Sequence, residues 1–163
     1  MALVYVVCGS KSDLEYGKEC TRILDKLGIE SRIFIASAHR SPEKVNEVIE
    51  KGEREGVGVI IALAGFAAHL PGVIASKTII PVIGVPINSS PLLGIDALLS
   101  IVQMPGGVPC AGVGIGKSGA LNGAILAGEI LALQDAKIKQ KLQELRLEQK
   151  EAIEEANREL DQQ

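Results

Sequence analysis

Only two histidines occur among the 163 residues, His39 and His69, and all imidazole acid–base chemistry must pass through them. Each stands in a short loop after an apolar run: Ser37-Ala38-His39-Arg40-Ser41, and Ala64-Gly65-Phe66-Ala67-Ala68-His69. Imidazole titrates near neutrality without help, so either ring could serve as general acid and base on a substrate carbon or nitrogen. A lone loop histidine is more often structural. Two of two on one rim favour chemistry.

A third loop, Gly9-Ser10-Lys11-Ser12-Asp13, follows the first apolar run. Its glycine allows a sharp turn, and the free N–H groups at the following helix start suit a phosphate. Ser12 three residues before Glu15 also fits a capping box, which needs no ligand. Arg40 is the only arginine in the three loops, and a guanidinium grips phosphate bidentately; the competing reading is a surface pair with Glu43. An anion would repel Asp13. Its carboxylate either accepts hydrogen bonds from a ribose diol or favours the helix dipole.

Other chemistries are disfavoured. Residues Gly112 to Gly119 contain Gly116-Lys117-Ser118, but Gly112 lies four residues before Gly116 where a Walker loop needs five. Close helix–sheet packing is the more economical account. The three cysteines, Cys8, Cys20 and Cys110, form no CxxC pair and read as reduced thiols of a cytoplasmic protein, with Cys8 and Cys110 inside strands. No serine–histidine–acid or cysteine–histidine nucleophile is legible. Two histidines without a thiolate or carboxylate cluster make a metal site unexpected.

The elements that position these loops alternate. Strands are expected over Ala2–Cys8, Ile29–Ala36, Val57–Ala62, Pro81–Val85 and Val108–Val113. Helices are expected from Ser12 to Gly28, from Ser41-Pro42 onward with Val45, Val48 and Ile49 inward, over Asp96–Gln103 and over Ala120–Leu133. Ala64 to Gly72 reads as loop. This pattern predicts an α/β fold: a three-layer, flavodoxin-like parallel sheet of order 2-1-3-4-5. In such a sheet the loops after strands one, two and three meet at the reversal of strand order.

Composition agrees with a single domain. Forty-seven percent of residues are hydrophobic but only four are aromatic, Tyr5, Tyr16, Phe34 and Phe66, so the core must be aliphatic. Net charge is −3, which argues against a nucleic-acid partner. No apolar run reaches the roughly 18–20 residues of a membrane span, and the N-terminus lacks a signal-peptide pattern. All 18 glycines and seven prolines precede residue 129, while residues 134–163 hold 14 of 37 charged side chains. Residues 1–133 thus read as a compact body and 134–163 as a long projecting C-terminal helix. Its stripe of Ile138, Leu142, Leu145, Ile153 and Leu160 is expected to pack on a neighbouring subunit, with Asp135–Lys139 and Glu154–Arg158 as i,i+4 pairs.

At these loops the sequence resembles the PurE family of purine biosynthesis. The matching strings are Gly9-Ser-Lys-Ser-Asp13, Ser37-Ala-His-Arg-Ser-Pro42, Ala67-Ala-His-Leu-Pro-Gly72, Pro81-Val-Ile-Gly-Val-Pro86 and Ser100-Ile-Val-Gln-Met-Pro105. The resemblance implies a cofactor-free mutase converting N5-carboxyaminoimidazole ribonucleotide to 4-carboxyaminoimidazole ribonucleotide. In that outline the carbamate loses carbon dioxide in a closed pocket, the freed ring carbon recaptures it, and a histidine moves the proton. His39 becomes the general acid/base. Ser10, Ser12, Asp13, Ser37 and Arg40 hold phosphate and ribose, and His69 lines the carboxylate end. Gly9, Ala38, Ala64, Gly65 and Leu70 complete the expected substrate-binding set. Family members are usually homo-octamers with an exchanged C-terminal helix, linked in function to an ATP-dependent synthetase of the carbamate. The alternatives are direct carboxylation of aminoimidazole ribonucleotide by carbon dioxide and a non-catalytic nucleotide-binding module. One departure stands out: the family reads Ala-Gly-Ala-Gly-Gly-Ala-Ala-His, and Leu63 and Phe66 replace two of those glycines here. Gly106, where some relatives carry arginine, is a smaller one.

Overall fold

The computed structural model describes residues 2–161. Five strands form one parallel sheet: β1 (Leu3–Cys8), β2 (Glu30–Ile35), β3 (Val59–Gly65), β4 (Val82–Ile87) and β5 (Ala111–Gly112), in the order β2-β1-β3-β4-β5. Six helices accompany them: α1 (Leu14–Lys26), α2 (Pro42–Glu55), α3 (His69–Ala75), α4 (Ile95–Val102), α5 (Gly116–Ala132) and α6 (Ala136–Asp161). The expected fold class and strand order are both present.

Alternation along the strands divides the core. Val4 and Val6 of β1, Ile61 and Leu63 of β3, and Ile83 and Val85 of β4 face α1, α5 and the first half of α6. Tyr5, Val7, Ile60 and Ala62 point oppositely, against α2, α3 and α4. Both faces are covered, which is why the central strands are apolar throughout instead of alternating. Each buried aliphatic side chain contributes about 1.5–3 kcal/mol of transfer free energy. On α5 small residues permit close approach: a Cβ on Gly119 would lie 1.6 Å from the Gly114 carbonyl oxygen.

Several local expectations need correction. β5 is only two residues long and pairs with Ile83 and Gly84, so Cys110 flanks the strand and does not lie within it. Pro105 and Pro109 supply no N–H, and Gly107 turns the chain at φ +95°, so the preceding segment cannot extend the ladder. The segment after β3 is not all loop, because α3 starts at His69. Pro71 is tolerated there because first-turn N–H groups need no helical partner. The Ser12 capping box does not form: residues 11–13 make a 3-10 turn, and Ser12 Oγ meets Ser10 Oγ at 2.6 Å instead.

The C-terminal helix also differs from expectation. Ile138, Leu142 and Leu145 join this chain's own core, beside α5. Arg146 pairs with Glu129 at 2.7 Å, and Lys26 reaches Glu148. Leu147, Ile153 and Leu160 remain exposed, so the stripe divides into an internal half and a projecting half. Neither expected i,i+4 pair forms. Asp135 Oδ1 instead accepts the Lys137 and Ile138 N–H groups, while Arg158 pairs with Glu155 and Lys150 with Glu154.

Candidate active site

β1 and β3 are neighbours in the sheet but not in sequence, and the loops leaving their carboxyl ends diverge around a cleft. A cavity of about 440 Å³ fills that cleft. The β1 loop contributes Gly9, Ser10, Ser12 and Asp13, and the β2 loop Ser37, Ala38, His39 and Arg40. From the end of β3 come Ala64 and Gly65, then Phe66 to Ala68, and from α3 His69 and Leu70. Every candidate residue of the sequence reading therefore lines one cavity. Ser89, beyond β4, is an additional lining residue. Its signal was available, because β4 also ends at this edge of the sheet and Asn88-Ser89-Ser90 follows it.

The first loop is organised by Asp13. Its side chain is only 3 % exposed, and Ser10 Oγ donates to Oδ2 at 2.8 Å. Burial holds the carboxyl above its ordinary range, outweighing the Ser10 and Ser12 hydrogen bonds and the Arg40 charge that favour ionisation. Gly9 closes the loop by donating its N–H to the Leu63 carbonyl at 2.9 Å.

The second loop is a compact turn tied by serines. Ser37 N–H donates to Ser41 Oγ at 2.9 Å, and Arg40 N–H to Ser37 Oγ at 3.2 Å. Ser41 thus precedes Pro42 at the start of α2 as expected, with its hydroxyl spent on the loop and not on the helix. The result leaves His39 and Arg40 pointing outward from a fixed backbone. Among the described residues the Arg40 guanidinium has no hydrogen-bond or ion-pair partner, and no Glu43 pair forms.

His39 Nε2 and His69 Nδ1 share a hydrogen bond across the cavity, with ring centroids 4.7 Å apart and planes at 72°. One nitrogen of that contact must carry the proton and the other must accept it, so at least one ring is neutral. The pair can hand a proton between β2 and α3. His69 owes its place to two tight turns, in which Ala68 N–H meets the Phe66 carbonyl at 2.9 Å and His69 N–H the Ala67 carbonyl at 2.7 Å.

Phe66 adopts φ +54° there, one of two non-glycine residues with positive φ among the described residues. An L-residue in that region costs about 1–2 kcal/mol. The neighbouring Gly65 has no room for a side chain, since a Cβ would lie 2.0 Å from Ser89 Oγ.

A thiolate nucleophile is not available at this rim. Burial pushes Cys8, at the end of β1, up to about 12 and Cys110 to about 11. Among the described residues no group of three or more His, Cys, Asp or Glu side chains is arranged to hold a metal ion. No described helix is long and apolar enough to cross a membrane.

The family model described as AIR carboxylase matches residues 3–152. The chain belongs to the AIR carboxylase family. Among AIR carboxylase relatives, the N5-carboxyaminoimidazole ribonucleotide mutase of Pyrococcus horikoshii is 50 % identical over 159 residues, covering 98 % of this chain and 89 % of the relative. The Bacillus subtilis protein of the same name is 48 % identical over 158 residues, covering 97 % and 98 %. The crystal structure of Treponema denticola PurE superposes with a TM-score of 0.86 at 28 % identity, covering 98 % of this chain and 99 % of that one. The resemblance carried by five short strings therefore extends over nearly the whole chain.

Proposed function

We propose that the chain is a mutase of purine biosynthesis, converting N5-carboxyaminoimidazole ribonucleotide to 4-carboxyaminoimidazole ribonucleotide. Relatives of that name, about half identical over nearly the full length, support the reading. The structural observation that carries it is the histidine pair facing into a cavity whose other polar side chains are hydroxyls, one carboxylate and one unpaired guanidinium.

Arg40, with the Ser10 and Ser12 hydroxyls, takes the 5′-phosphate, while Asp13 and Ser37 hold the ribose. These groups, with Gly9, Ala38, Ala64, Gly65 and Leu70 as walls, set the imidazole beside the histidines. The carbamate N–C bond breaks, its electron pair stays on the exocyclic nitrogen, and that nitrogen takes up a proton from the histidine pair, which the later removal of the ring proton restores. The ring carbon then attacks the released carbon dioxide. His39 removes the ring proton as the C–C bond is formed, and His69 shares it across their hydrogen bond. Because the carboxyl group travels with the substrate, the reaction needs no cofactor. Keeping carbon dioxide beside the ring carbon makes recapture effectively unimolecular, an advantage that reaches about 7–11 kcal/mol in well-oriented cases.

The working form is a homo-octamer in the cytoplasm, fed by an ATP-dependent carbamate-forming synthetase. Exposed Leu92, Leu93, Ile95, Leu99 and Val102 on and before α4, and the projecting half of α6, offer apolar surface for subunit contacts. Three free cysteines suit a reducing compartment.

Purified protein given each ribonucleotide, with bicarbonate varied, tests the activity. The carbamate should isomerise without added bicarbonate, and His39→Asn should lower kcat about 10²–10⁴-fold. Turnover that needs high bicarbonate and ignores the carbamate would indicate direct carboxylation and refute the mutase. Binding without turnover by the wild type would leave only a nucleotide-binding module.

A further inference from the structure

We infer that Phe66 is a positioning residue that walls the cavity against escape of released carbon dioxide, an inference that rests on the proposed mutase reaction. Three observations converge on it. The backbone at Phe66 is held at φ +54°, where glycine would be the unstrained choice. The residue belongs to a tied turn: the Phe66 carbonyl accepts from Ala68 N–H in the turn that launches α3, and Gly65 before it leaves little space for a Cβ beside Ser89. The strain is not offset by burial, because the side chain is 57 % exposed.

A strained residue without a packing role is unexplained unless its ring meets something absent from the chain itself. Phe66 lines the same cavity as His39 and His69. The wall running from it is apolar, through Ala67 and Ala68 to Leu70. Carbon dioxide carries no net charge and no hydrogen-bond donor, so an apolar wall retains it without competing for it and excludes water from the reacting carbon. The other positive-φ side chain, Leu93, lines no such cavity and joins the exposed apolar surface before α4.

When the N–C bond of the carbamate has broken, two fates compete. Carbon dioxide forms the new C–C bond, or it leaves and the amine is released as aminoimidazole ribonucleotide. Phe66 should govern that partition and not substrate capture.

The test uses the full-length protein and substrate labelled with ¹³C in the carbamate carboxyl, in unlabelled bicarbonate buffer. Wild type, Phe66→Gly, Phe66→Ala and Phe66→Leu are compared for label kept in the product and for amine released per turnover. The Gly and Ala variants should lose label at least fivefold more per turnover than wild type, with KM for the ribonucleotide within twofold. Phe66→Leu, which keeps apolar bulk, should stay within twofold of wild type. Phe66→Gly relieves the backbone and should not lower Tm, so loss of folding does not obscure the result. Unchanged label retention in Phe66→Gly overturns the inference while leaving the mutase reading intact. Label loss that tracks a change in assembly size by sedimentation also overturns it, assigning Phe66 to a subunit contact. A wild type that makes no product from the carbamate refutes the mutase reading itself, and the inference with it.

Discussion

Arg40→Ala should raise KM for the ribonucleotide about 5- to 30-fold and leave kcat nearly unchanged. The guanidinium is exposed beside the cavity and has no protein partner among the described residues, so its removal orphans no buried group. Apart from its charge acting on Asp13, what it contributes is therefore a ligand interaction. A charge-assisted pair to phosphate is worth about 1.5–3 kcal/mol, which solvent exposure reduces to roughly 1–2 kcal/mol, and that range gives the stated ratio. Arg40→Lys keeps the charge but loses the planar fork, so its KM should fall between the two. The decisive assay crosses the protein change with a substrate change. Wild type and Arg40→Ala are each given the ribonucleotide and the matching ribonucleoside, which lacks the 5′-phosphate. If Arg40 acts on the phosphate, the substitution costs nothing further once the phosphate is gone. An equal loss of kcat/KM on both substrates would refute that assignment, as would a loss carried wholly by kcat.

Three further outcomes follow from the same geometry. Burial raises the Asp13 carboxyl pKa in the folded state, so the folded protein binds that proton more tightly than the unfolded chain. The Asp13 contribution to stability is then greatest in acid and falls as pH rises from the ordinary carboxylate range through the raised value. Asp13→Asn should accordingly raise Tm at pH 7, with the gain vanishing on acidification below the ordinary range; an equal or lower Tm at pH 7 refutes this. Truncation after Arg146 should reduce assembly size yet nearly preserve the stability of the body, because Ile138, Leu142 and Leu145 remain packed. Leu142→Ala, by contrast, should cost about 2–5 kcal/mol in denaturant unfolding; unchanged assembly in the truncated protein would remove the tail from the interface.

The strand order and the meeting of the three loops were legible because each apolar run ended in glycine or a polar loop, and parallel connections leave few topologies. What failed was local. Glycine-rich and proline-rich segments carry little periodicity, so the apolar run overstates β5, and α3, seven residues containing Pro71 and Gly72, leaves no helical pattern. The Ser12 cap is plausible by spacing alone, but the hydroxyl meets Ser10, which itself donates to Asp13, and not a helix N–H. The amphipathic stripe on α6 identified the buried face without saying that this chain's own α5 would cover its first half. Ser89 lies outside the loops that flank the reversal of strand order, although β4 ends at the same rim.

Leu63 and Phe66 show why a family pattern constrains some positions more than others. Both replace glycines of the resembled motif, three residues apart, yet they differ in consequence. Leu63 lies in β3 with strand geometry, paired in register with Cys8 and Val85, and is fully buried in the aliphatic core. Any L-residue adopts that backbone, so the added side chain only fills space between sheet and helices. Phe66 lies just past the end of the strand, where the turn into α3 requires positive φ whatever the residue. There the same change adds backbone strain and places an exposed ring beside the two histidines. The backbone requirement, not the distance along the chain, separates a substitution the core absorbs from one that alters the wall of the site.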